Sequence, residues 1–281
     1  MSAVLMDGRK LAADWKNVAA MEAQQLIDSG VMPHLGVIVV GDDPASQTYI
    51  RNKENACKKA GIKSTVIRLP EDCSQADLEM SIQSLNVNTF VHGILLQLPL
   101  PKHLDEKRAL NMIDPDKDVD GFHPINAGRM VIGEDGFVPC TPLGIMKMLE
   151  HYEIDPRGKH VVIIGRSNIV GKPMSMLLLA ADATVTICHS KTERLREIVA
   201  NADILVVAVG KPGFVTWDMV KPGAVVIDVG INRTEQGIVG DVDFESVRHV
   251  ADYITPVPGG VGQMTVAMLL MNTIKAAQRT L

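Results

Sequence analysis

The chain has 281 residues, 46% of them hydrophobic and 22% charged, which is enough for one large or two ordinary domains with a substantial core. Asp and Glu outnumber Lys and Arg by 33 to 28, for a net charge of −5, and aromatic residues make up only 4%. A mildly acidic, aromatic-poor chain argues against phosphate-backbone binding and base stacking, so nucleic acid is not an expected partner.

In chain order, His34–Val40 reads as a strand, Ala45–Ala60 as a helix and Ser64–Leu69 as a strand. Ser74–Leu85 follows as a helix, Val91–Leu96 as a strand, and a short helix lies near Leu104–Met112. This βαβαβ order implies a parallel sheet covered on both faces, with right-handed crossovers. Asp114–Val138 is rich in Asp, Gly and Pro and lacks periodicity, so it reads as a linker or a functional loop. Thr141-Pro142 then opens an amphipathic helix to about His151, Thr serving as N-cap and Pro suiting the first turn.

A second alternating series follows. His160–Ile164, Thr184–Cys188, Ile204–Val209 and Val225–Val229 read as strands, and Lys172–Ala180 and Thr192–Ala200 as helices. Thr265–Arg279 closes the chain as a long apolar-faced helix. The expectation is an α/β protein of two domains with parallel sheets: residues 1–139 plus 265–281, and a Rossmann-type domain at 140–264. The last helix is expected to pack on the first domain beside the Thr141 helix. Two connections would then cross the boundary, with a cleft between the domains.

Cys57, Cys73, Cys140 and Cys188 form no C-x-x-C pair and stand at no zinc-finger spacing from a histidine, so no metal is expected. Scattered cysteines suit a reducing compartment. No apolar run approaches the roughly 18 residues of a membrane span, and the N-terminus has no long apolar signal region. A cytoplasmic protein without a membrane partner is expected.

Gly165-Arg166-Ser167-Asn168-Ile169-Val170-Gly171 joins a buried strand to a helix. Glycine permits a tight turn, and helix N-terminal amides attract a pyrophosphate. Ser167 replaces the second glycine of the strict fingerprint, so the segment alone fits either a dinucleotide site or an ordinary βα turn. NAD-specific sites carry an acid at the end of the second strand. Here that strand runs into Cys188-His189-Ser190-Lys191-Thr192, and Arg166 lies in the turn, a combination that favours NADP. Ile231, after the strand ending near Val229, is either a nicotinamide contact or an ordinary strand-end residue.

Ser46, Tyr49 and Lys53 share one helix face by their spacings of three and four, which reads either as a site or as an ordinary solvated face. Gln97 ends a strand just before Pro99, at the sheet edge where ligands of open α/β folds bind, and reads either as a site residue or as a capping or loop glutamine. Asp118 and Asp120 read either as metal ligands, given further oxygens, or as a solvated acidic turn. Thr255-Pro256-Val257-Pro258-Gly259-Gly260-Val261-Gly262 is stiff and then permissive, and reads either as a turn that brings backbone amides to a ligand or as a plain interdomain turn.

Together these segments resemble the bifunctional methylenetetrahydrofolate dehydrogenase/methenyltetrahydrofolate cyclohydrolases of the bacterial FolD type. The matching stretches are Tyr49–Lys53, Gly93–Pro101, Lys117–Gly121, Gly165–Pro173 and Pro256–Gly262, in family order along essentially the whole chain. The resemblance implies NADP-dependent oxidation of 5,10-methylenetetrahydrofolate and hydrolysis of the methenyl product to 10-formyltetrahydrofolate, in one-carbon metabolism. It implies that Lys53 is the catalytic lysine of hydrolysis, that Gln97 hydrogen-bonds and tunes it, and that Asp120 binds the pterin. By the same resemblance Tyr49 stacks on the folate, Ser46 contacts it, and Pro258, Gly259, Gly260 and Val261 wall its site. Gly165, Arg166, Ser167, Ser190 and Ile231 are implied to bind NADP, and a homodimer is implied. Gln263 replaces the family's usual proline, which predicts a looser turn before the last helix. A dehydrogenase without the hydrolase step and a non-catalytic NADP-binding protein are the alternatives. The retained Lys53, Gln97 and Asp120 argue against both.

Overall fold

The structure is a computed structural model in which residues 2–42, 44–235 and 237–281 are described, the side chains of residues 44–46 and 48 excepted. The chain forms β1 (Val4–Leu5), α1 (Gly8–Asp28), β2 (His34–Val40), α2 (Pro44–Lys59), β3 (Lys63–Leu69), α3 (Gln75–Asn86), β4 (Gly93–Leu96), α4 (Glu106–Met112), α5 (Pro124–Ile132) and α6 (Cys140–His151). It continues with β5 (His160–Ile164), α7 (Gly171–Ala180), β6 (Thr184–Cys188), α8 (Leu195–Val199), β7 (Ile204–Val207), β8 (Val225–Asp228), β9 (Asn232–Thr234), β10 (Gly237–Val239), α9 (Phe244–Val247), β11 (Tyr253–Ile254) and α10 (Val261–Gln278).

Two units divide the chain: Ala13–Cys140 with Val266–Leu281, and Met1–Ala12 with Thr141–Thr265. In the unit built on residues 13–140, three parallel strands run in the order β3-β2-β4. β2 is buried along its whole length, as a central parallel strand must be. Gly36 lets α3 lie close to it, since a Cβ there would stand 2.9 Å from Leu85 Cδ1. Ile38, Ile94 and Leu96 pack with Leu78, Ile82 and Leu85 of α3 in one apolar core.

The other unit holds a six-stranded parallel sheet in the order β1-β11-β8-β7-β5-β6. Its core gathers Val162, Ile164, Leu205, Val207, Val226 and Ile254 among others. The strand order reverses at β5: the chain goes out to β6 and returns to β7 on the other side. Such switch points open a crevice at the carboxyl ends of the strands.

Several expectations need correction. The first twelve residues do not belong with the first domain. Val4 and Leu5 pair in parallel with Tyr253 and Ile254, so the N-terminus joins the six-stranded sheet. The chain therefore passes between units after Ala12, Cys140 and Thr265, rather than by two connections. Asp114–Val138 is not wholly irregular: it contains α5, capped by His123 Nδ1, which accepts from Ile125 N at 3.1 Å, and ended by left-handed Gly133. The helix expected from Thr192 starts at Leu195. Thr192 Oγ1 accepts instead from His189 N at 2.8 Å, closing a turn, and Arg194 is left-handed at φ 52°. α10 starts earlier than expected, at Val261, beside α6: Thr141 and Thr265 hydroxyls lie 2.9 Å apart. Gln263 N donates to Gly260 O at 3.1 Å, a bond proline could not make, so the turn is closed here rather than loosened. No helix among the described residues is long and apolar enough to cross a membrane.

Candidate active site

In the unit built on residues 13–140, β2 is flanked by β3 and β4, so the strand order reverses there as well. The candidate residues follow the two strands on either side of that reversal: α2 follows β2, and Gln97 follows β4. Gln97 is tied to the sheet by its backbone N–H, which donates to Ile38 O at 2.9 Å. Its side-chain Nε2 donates to Leu98 O at 2.7 Å, which turns Oε1 outward. Lys53 Nζ donates to that oxygen at 3.1 Å. Tyr49 stands one turn before Lys53 on α2, partly exposed. The Ser46 side chain lies outside the described residues.

Asp120 reaches this edge because its loop runs beside β4. Ile94 N donates to Lys117 O at 2.7 Å, and Asp118 bridges Ile94 in parallel. Gly93 makes room, since a Cβ there would stand 2.6 Å from Val119 Cγ1. Gly121 turns the chain at φ 73°, where a Cβ would lie 2.7 Å from Pro139 N. Lys117 Nζ donates to the carbonyls of Leu85, Asn86 and Asn88 at 2.7–3.0 Å, pinning the loop to the end of α3.

Asp118 is neither a solvated turn residue nor an open metal ligand. It is 1% exposed and accepts from Phe122 N, His123 N and Asn126 Nδ2 at 2.8–3.2 Å. Asp120 has one hydrogen-bond partner among the described residues, the Cys140 thiol at 3.9 Å. Burial pushes its carboxyl up to about 6, against the pull of the Lys53 ammonium, and the Asp118 charge adds to the rise. A lysine, an amide and a carboxyl poised near neutrality can bind a polar heterocycle and move protons.

In the unit built on residues 141–265, the Gly165 turn follows β5, at the switch point. Gly165 has φ 130°, and a Cβ on it would collide with the Ala208 carbonyl. A Cβ on Gly171 would collide with the carbonyl of Gly165, so both glycines are sterically required. Ser167 Oγ accepts from Val170 N at 3.1 Å, shaping the turn. Val170, which precedes α7, makes no side-chain cap, and Arg166, Ser167 and Ser190 are exposed. The first-turn amides are taken within the turn: Gly171 N donates to Ser167 Oγ at 3.4 Å and Lys172 N to Ser167 O at 3.0 Å, and Pro173 has none. What the turn offers a dinucleotide bearing a further phosphate is an exposed cation and hydroxyls at a switch point.

Sequence reasoning missed the carboxylates that frame this crevice. Asp241, fully buried, accepts from the backbone N–H groups of Val209, Gly210 and Lys211 at 2.7–2.9 Å and from Asn232 Nδ2 at 2.8 Å. Asp228 accepts from Gly230, Asp241 and Val242 N–H groups at 2.9 Å, and burial pushes its carboxyl up to about 6. They fix the loops after β7 and β8. The clue was glycine placement: a Cβ on Gly230 or Gly240 would collide with Asp241 or Asp228 respectively. Ile231 is 45% exposed, and its Cδ1 would lie 3.4 Å from a Cβ on Gly262. The Pro258–Val261 turn therefore lies near it. Gly8 N donates to Gly259 O at 2.9 Å, so the start of α1 braces that turn.

One parallel sheet with a lysine–amide–carboxyl edge and a second with a glycine-framed turn at its switch point define a two-domain α/β protein of the dinucleotide-binding class. Residues 6–120 match the family model of the tetrahydrofolate dehydrogenase/cyclohydrolase catalytic domain, and residues 139–281 that of its NAD(P)-binding domain. The bifunctional protein FolD of Campylobacter hominis is 59% identical over 99% of this chain and 98% of its own. The crystal structure of the FolD methylenetetrahydrofolate dehydrogenase/cyclohydrolase from Campylobacter jejuni is 53% identical, with a TM-score of 0.98 and complete coverage of both chains. The Trypanosoma brucei FolD, solved with NADP and an inhibitor, is 40% identical with a TM-score of 0.95, over 100% of this chain and 99% of that one. The chain belongs to the tetrahydrofolate dehydrogenase/cyclohydrolase family.

Proposed function

We propose that this chain oxidises 5,10-methylenetetrahydrofolate with NADP and hydrolyses the resulting 5,10-methenyltetrahydrofolate to 10-formyltetrahydrofolate. The observation that carries the reading is the Lys53–Gln97 hydrogen bond of 3.1 Å at the same sheet edge as Asp120. Gln97 Oε1 accepts one ammonium proton and fixes the direction of Nζ. Lys53 orients water toward the methenyl carbon and relays the proton released by attack. Asp120 accepts hydrogen bonds from the pterin N–H groups, Tyr49 stacks on the ring, and Ser46 contacts the substrate. Pro258, Gly259, Gly260 and Val261 wall the folate site. Gly165, Arg166, Ser167, Ser190 and Ile231 hold NADP, with Arg166 and Ser190 directed to the 2′-phosphate. NADP, when bound, supplies the hydride acceptor for the methylene carbon.

Homodimeric assembly, on the strength of the family resemblance, and a cytoplasmic location, on the scattered unpaired cysteines, complete the proposal; a single-chain mass by light scattering would overturn the dimer. The decisive variant is Lys53→Met. Its methenyl hydrolysis is expected to fall by about 10²-fold or more, while folate and NADP still bind in fluorescence titrations. Hydrolysis at the parent rate would remove Lys53 from the mechanism.

A further inference from the structure

The peptide that carries Asp120 is held by a residue far away in sequence. Asn272 lies on α10, 4% exposed. Its Nδ2 donates to Val119 O at 2.8 Å and to Val138 O at 3.0 Å, and stands 3.7 Å from Cys140 Sγ. An amide nitrogen has two N–H groups, so the two carbonyls take both and the sulfur contact is secondary. The Cys140 thiol, raised well above its ordinary pKa chiefly by burial, stays protonated. Its single S–H lies within reach of two acceptors, Val119 O at 3.4 Å and Asp120 Oδ1 at 3.9 Å.

One buried amide thus ties together the segment that precedes Asp120 and the segment that runs from Phe137 to Cys140. Gly121, on the other side of Asp120, is wedged against the same Val138 peptide. A buried asparagine within a helix is unfavourable unless its polar atoms find partners. These partners are carbonyls outside the sheet ladders, left without this donor if the amide is removed.

We propose that Asn272 is a positioning residue for the folate reactions: it sets the aim of the Asp120 carboxylate at the pterin. The inference rests on the assignment of Asp120 to pterin binding. Asn272 bonds to the carbonyls of the loop and acts through Asp120, so its signature is a change in folate KM rather than in the chemical step or in NADP binding.

The test compares Asn272→Ala, Asn272→Ser and Asp120→Asn by steady-state kinetics with methylenetetrahydrofolate and NADP, each checked for folding by circular dichroism. Asn272→Ala is expected to raise the folate KM by about 10-fold, with kcat within about 3-fold and the NADP KM unchanged. Asn272→Ser, which keeps one donor, recovers part of that rise and keeps the test open if the alanine variant does not fold. A looser loop admits water, so the acid limb of the folate KM profile also moves to lower pH in both. An unchanged folate KM in folded Asn272 variants, with a raised KM in Asp120→Asn, overturns the inference alone. An unchanged KM in Asp120→Asn as well overturns the assignment of Asp120 beneath it.

Discussion

Asp118 and Asp120 stand two residues apart and meet different surroundings. Asp118 is surrounded by N–H donors and organises the loop. Asp120 has a weak thiol partner and the Lys53 charge nearby, so burial wins and its carboxyl rises from 3.8 to about 6. With its folded pKa raised, Asp120 favours the fold fully below about pH 4. That contribution is lost as pH rises through about 6. Asp120→Asn is therefore expected to raise stability at pH 7 by about 1 kcal/mol in urea unfolding, an advantage that vanishes below pH 4. In the parent protein the folate KM should rise as pH falls through 6, because protonation cancels the charge and turns one accepting oxygen into a donor. A stability change of opposite sign, or a flat KM profile, would contradict the surroundings described for Asp120. The sequence pattern alone marked both acids but could not separate them, because burial and donor supply come from Asn126, Phe122, Cys140 and Lys53, distant in the chain or across a turn.

At the scale of elements, the legible parts were those with a local signature. β2, β5 and β7 are uninterrupted apolar runs, buried throughout or nearly so, and their bounds fell within a residue or two of the reading. α5 was missed although Pro124 at its start and Gly133 at its end are the punctuation of a helix. α1 was missed although Leu11, Ala19, Ala23 and Leu26 recur at helical spacing and are buried. The loop–helix joint at Lys117 was beyond reach, because the carbonyls it caps belong to another element. Lys117→Met leaves those carbonyls at the end of α3 without their donor. It is expected to lose about 1–2 kcal/mol, with faster hydrogen exchange in the last turn of α3 and around Val119–Gly121. Exchange that quickens only elsewhere would show that Lys117 does not hold this joint.

At the scale of the whole molecule, the division into two α/β units followed from the two alternating series. The place of the first twelve residues did not. β1 has only two residues, too few for any periodicity, and its partner β11 lies some 250 residues away. The catalytic and NAD(P)-binding domains were legible for a different reason: the Gly165 turn and the Lys53 edge each follow a strand at a switch point, where ligands of open α/β sheets bind. The account holds that one chain performs both folate steps with NADP. The most direct measurement supplies purified enzyme with methylenetetrahydrofolate and either NADP or NAD, and follows reduced cofactor and methenyltetrahydrofolate together by absorbance. The account predicts reduced cofactor formation with NADP in preference to NAD, and a methenyl intermediate that is consumed to 10-formyltetrahydrofolate. Methenyl product that accumulates at the rate of cofactor reduction, or no cofactor reduction at all, would contradict it.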